Sequence, residues 1–178
     1  MNLDLASMAI PMPAVFGHPN REAFRGVLTL VDTPSDKPPA GSRGHRVILT
    51  RAAAERALPS LLGMALDYSP SFDRHDARRK VGVITRAEIV GRELELNGYL
   101  YAKDFPEIVR QIGSGIIHAS ASTHKRPRNP LGMSYEIADA SVADVRAKIW
   151  TLTQVTFTGA AILRRDKAAY RNTWIELE

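Results

Sequence analysis

Apolar and polar residues alternate along much of the 178-residue chain, with the period of two that half-buried strands show. The alternation predicts strands over 24–31 (FRGVLTLV), 45–49, 116–123, 131–138, 148–157 and 173–177. It is most regular after Val81. Val83 and Ile89 lead to Gly91-Arg92, and Leu94, Leu96, Tyr99 and Tyr101 continue beyond, which predicts a hairpin turning at Gly91. Helical spacing is confined to two stretches, with one further helical turn at 166–170. Ala54, Ala57, Leu58 and Leu61 share one face of a helix over 51–62, with Thr50 placed to cap it and Pro59 to break its last turn. Ile108, Val109 and Ile112 form the stripe of a short helix that Asp104 caps, Pro106 opens and Gly113 and Gly115 close. Many short strands with two or three helices predict an α+β, mostly β fold: a closed or partly open β-barrel of about six to seven strands with the helices packed outside.

A chain of this length supports one domain with a real core. The expected organisation is an N-terminal arm over 1–23, a barrel domain over 24–163 and a C-terminal extension over 164–178. The arm (MNLDLASMAIPMPAVFG) is apolar, but it carries Asp4 in place of a basic cluster and is interrupted by Pro11 and Pro13, so it reads as an edge segment of the mature chain. No apolar run approaches the length needed to cross a bilayer, and no membrane partner is expected.

Composition narrows the chemistry. The chain contains no cysteine, which excludes disulfides, thiolate nucleophiles and thiolate metal sites. A hydrolytic nucleophile must then be serine, threonine or activated water. The formal charge of +5 favours acidic partners, whether nucleic acid, an acidic protein surface or an acidic substrate.

Within 68–82 (YSPSFDRHDARRKVG), turn formers and an aromatic anchor at Phe72 precede His75, and alternation resumes at Val81. This is a loop entering a strand with an imidazole at its mouth, where a group titrating near neutrality can move protons. A lone histidine in a charged loop is commonly only solvated, so the assignment needs a second group. Ser134, after Gly132-Met133 and before Tyr135, is the serine best placed to be held rigidly in a strand while Gly132 allows close substrate approach.

The ordered landmarks HDARRKVG, VGRELELNGYLYA, LGMSYEI and QVTFTGAA resemble the prohead proteases of tailed bacteriophages, capsid-maturation serine proteases related to the herpesvirus assemblins. The resemblance spans about Phe24 to Leu163 and implies an assemblin-like fold. It also implies that His75 is the catalytic base, Ser134 the nucleophile, and the residue opening the last core strand the third triad member. That place is taken by Thr151, which can accept an imidazole N–H but cannot neutralise an imidazolium. Glu136, Asp139 and His118 are alternative partners. Ser120 and Ser122 are alternative nucleophiles, because 115–117 resembles the family's helix-to-strand joint. The implied substrates are the scaffold or delta-type segments of the major capsid protein, and the protease itself. The implied setting is the prohead inside the host cytoplasm, with a homodimer or higher oligomer expected and no cofactor.

Three other readings compete. One keeps the fold without the chemistry, as a structural capsid component. A nucleic-acid-binding barrel would use Lys125, Arg126, Arg128, Arg164 and Arg165, but the strands lack the exposed aromatics of a stacking platform. A metalloenzyme would draw on His75, Asp76, His118 or His124, yet no tight ligand motif is present and no metal is expected.

Overall fold

The computed structural model describes residues 7–114 and 129–178. In chain order these form β1 (Ser7–Ala9), β2 (Glu22–Leu30), β3 (Arg46–Leu49), α1 (Arg51–Ala57), a 3₁₀ turn (Leu58–Leu61), β4 (Ala65–Tyr68), β5 (Lys80–Val90), β6 (Glu93–Leu100), α2 (Pro106–Gly113), β7 (Leu131–Val142), β8 (Ile149–Arg164) and β9 (Trp174–Leu177). The predicted strand over 116–123, with Ser120, Ser122 and His118, lies outside the described residues. So does most of the basic loop, including His124, Lys125, Arg126 and Arg128.

The strands build one sheet in the order β3-β8-β4-β5-β6-β2-β9, with β1 added to β5 and β7 added to β8. Most neighbours are antiparallel; β3 and β4 run parallel to β8. The sheet curls until β7 packs against β2 and β9, so close that a methyl built on Gly26 would stand 2.8 Å from the Met133 sulfur. The outcome is the mostly β, partly open barrel that the alternation predicts. Its interior is filled by side chains that are fully buried, among them Phe24, Leu28, Leu66, Ile84, Leu96 and Phe157. α1 and the 3₁₀ turn cover β8.

Local chemistry explains most element boundaries. Thr50 caps α1 by accepting the Ala53 N–H, and Pro59 lies at the start of the 3₁₀ turn that replaces the expected last helical turn. The hairpin turns at Gly91 with φ of +59°, a backbone geometry that suits glycine. Two expectations are corrected. The cap of α2 is Phe105 rather than Asp104, because Pro106 takes the first helical position; the Asp104 carboxylate instead accepts from the Asn20 amide. The strand predicted over 131–138 runs on to Val142 through register shifts, with Asp139 at φ of +51°. The residues expected as a C-terminal extension supply β9, which pairs with β2.

Candidate active site

The site grows out of the register of three neighbouring strands. On β8, Ala160 is flanked by Leu66 of β4 and Tyr135 of β7, and Ala161 is flanked by Asp67 and Ser134. Since side chains alternate faces, the first row points to the core, where Tyr135 meets Phe157 edge-on. The second row points to the opposite face. Glu136, two residues after Ser134, shares that face and lies opposite Gly159. The glycine is needed there, since a methyl group on it would stand 2.8 Å from Glu136 Oε2.

The loop that follows β4 folds back over this face. Phe72 packs on Tyr68, and its carbonyl accepts the Arg164 N–H, which ties the loop to the end of β8. Asp73 accepts from the Ser71 and Ser69 hydroxyls, which hold its carboxyl below the usual aspartate range. The Asp76 N–H donates to Asp67 Oδ1 at 3.1 Å. These bonds bring His75 Nδ1 to 3.0 Å from Glu136 Oε1. With Nδ1–H donating to the carboxylate, Nε2 is left to accept a proton.

His75, Ser134 and Glu136 line one cavity of about 860 Å³. Its far wall carries Leu152 and the Trp150 indole, which stacks on His45 with centroids 4.5 Å apart and planes 11° from parallel. No direct hydrogen bond joins the Ser134 hydroxyl to the imidazole; the cavity is what they share. Thr151 stands elsewhere. It pairs with Ile48 of β3, at the opposite end of β8 from Ala161, and strand alternation turns it away from the cavity that its neighbours Trp150 and Leu152 line. The carboxylate beside His75 is Glu136, one of the alternatives for that place, and Thr151 does not line the cavity. Asp139 is exposed at the β7 irregularity.

Asp67 is the residue that sequence reasoning passed over. Its side chain is fully buried, and Oδ2 accepts no hydrogen bond; the Lys80 ammonium lies 3.7 Å away. Burial pushes the carboxyl up to about 6, with the Glu136 carboxylate adding to the rise and the Asp76 N–H and His75 opposing it. The available signal was an acid inside an apolar strand (MALDYS) just before the histidine loop. Asp67, His75 and Glu136 offer three ligand atoms within 4.8 Å of one another, a donor set able to hold a divalent cation. The Lys80 contact and the Nδ1–Glu136 bond already satisfy much of its charge, and we read it as an ion-pair cluster. Of the basic residues considered for nucleic acid, Arg164 pairs with Asp166 and Arg165 donates to the Leu131 carbonyl.

The raised Asp67 value carries a sign. Between the ordinary 3.8 and about 6, the folded chain holds a proton that the unfolded chain releases, so this group's contribution to stability falls as pH rises through that window. Thermal melts across it should show the slope in the wild type and lose it in Asp67→Asn, which melts higher at neutral pH.

No protein-family model matches the chain, and no curated protein sequence matches it. Among solved structures, the chain is similar to the KSHV protease in its crystal structure with a hexapeptide phosphonate inhibitor, at 15% identity and a TM-score of 0.42, with 80% of this chain and 59% of that chain covered.

Proposed function

We propose that the chain is a serine endopeptidase of the prohead-maturation type. The observation that carries this reading is the 3.0 Å contact from His75 Nδ1 to Glu136 at the mouth of a cavity that Ser134 also lines. Ser134 Oγ attacks the scissile carbonyl, and His75 Nε2 takes its proton and returns it to the leaving amine. Glu136 fixes the ring tautomer and offsets the imidazolium charge. A carboxylate in this role is stronger than the threonine expected at Thr151. The landmarks HDARRKVG and LGMSYEI support the family and, with it, scaffold or delta-type segments of the capsid protein as substrates inside the prohead, and an oligomeric enzyme. The groove suits an extended polypeptide passing between the β7 strand and the His45–Trp150 stack.

The test is co-expression of the chain with a phage capsid precursor that carries a scaffold or delta-type segment, reading product masses. Trimming by the wild type that disappears in both His75→Ala and Ser134→Ala supports the pair. Trimming that persists in both removes the enzymatic reading. A shell component that keeps the fold without chemistry is the second reading, favoured by the lack of a direct Ser134–His75 hydrogen bond. Such contacts commonly close only when substrate binds.

Gly159→Ala offers a finer check. The added methyl meets the flexible end of Glu136 at 2.8 Å and the Ala65 carbonyl at 3.2 Å, so the chain should fold while the carboxylate moves off the imidazole. Cleavage should fall by about ten- to a hundredfold, measured as product formation beside an unchanged circular dichroism spectrum.

A further inference from the structure

The geometry points to Asp67 as the positioning residue for His75, a buried carboxylate that accepts the backbone N–H of Asp76, the residue after the histidine, and lies beside the His75–Glu136 pair. Its effect on rate rests on the endopeptidase reading; its hold on the imidazole does not.

Three observations support it. First, the Asp67 side chain is fully buried, and a carboxylate in that place is costly unless it has a task. Second, Oδ1 accepts the N–H of Asp76, the residue next to His75. This places the loop backbone directly over Asp67. Third, Oδ2 is left without a hydrogen bond, and the Asp67 carboxylate, the His75 ring and Glu136 stand within 4.8 Å of one another.

Among the described residues, the charged groups around Asp67 come from separate elements. β7 contributes Glu136, the loop contributes His75, and β5 contributes Lys80 at 3.7 Å. The Asp76 carboxylate is turned outward to Arg78 and Arg79. β8 contributes only Ala161 in that row. Two carboxylates therefore lie beside one imidazole, and the imidazolium that forms as His75 takes the Ser134 proton would stand next to both. Protonating Asp67 removes that charge and gives Glu136 a competing donor. Burial raises the Asp67 carboxyl, and the Glu136 carboxylate adds to the rise.

Asp67→Asn separates the two tasks, because the amide oxygen still accepts from Asp76 while the charge is gone. Asp67→Ala removes both. In the full-length chain, the His75 imidazole is titrated by NMR, assigned against His75→Ala, and the rate of Ser134 labelling by a fluorophosphonate is followed across pH. In Asp67→Asn the His75 midpoint should drop by about half to one pH unit and labelling near neutrality should slow about tenfold, with the acid limb becoming less steep. Asp67→Ala should slow labelling further, about a hundredfold. If Asp67→Asn keeps the wild-type midpoint, the positioning role is overturned, whatever the labelling rate. If the wild type is never labelled but the midpoint still drops, the endopeptidase reading fails and Asp67's hold on His75 stands.

Discussion

Replacing Glu136 with glutamine is expected to lower the rate of Ser134 acylation by about 10³ to 10⁴ while leaving the fold intact, the scale seen when a triad carboxylate becomes an amide. The expectation follows from the position of the carboxylate. Glu136 Oε1 is 3.0 Å from His75 Nδ1, and Gly159 leaves room for its other oxygen. An amide of the same shape keeps the packing but cannot offset the imidazolium that forms as Ser134 gives up its proton. It can also present a donor to Nδ1 and so favour the wrong tautomer. Acylation rates measured beside a thermal melt check it. A fall of less than about threefold would show that the imidazole works without Glu136, or does not work at all.

Gly98→Ala is expected to be the most damaging single methyl added to the sheet. Gly98 lies in β6 between Phe24 of β2 and Ile84 of β5, next to a register shift at Ile84 to Arg86. A methyl there would sit 2.0 Å from the Val83 carbonyl oxygen and 2.8 Å from the Phe24 ring, which is itself fully buried. The carbonyl is backbone and cannot swing away, so β5 and β6 must part and Phe24 must leave its place. The loss should be about 4 kcal/mol or more, at the severe end for one substitution, read from urea denaturation midpoints. Gly113→Ala, whose methyl finds Leu177 at an ordinary 3.5 Å, is the control that should be tolerated.

Much of this architecture was legible before the structure. The hairpin around Gly91 and the cap at Thr50 follow from signals a few residues long, and so does the early end of α1 at Pro59. The site was harder. His75 and Ser134 could be singled out one at a time, but their surroundings depend on which strands lie side by side. β4 and β7 are far apart in sequence and meet only across β8, so the row of Asp67, Ala161 and Ser134 has no local signature. Reading the third triad place along β8 led to Thr151. The carboxylate beside His75 comes from the strand of Ser134, two residues on, where strand alternation returns Glu136 to the same face. Asp67 was missed for a related reason: a single acid in an apolar strand looks like an edge position until burial is known.

Proteolysis by this chain requires Ser134 to be an activated nucleophile. Incubating the full-length chain with a fluorophosphonate, then locating the adduct by peptide mass mapping, tests this directly. One adduct is expected, on Ser134, formed at a rate that collapses in His75→Ala. An unmodified Ser134 in the folded wild type, or labelling that proceeds equally well without the imidazole, would contradict it.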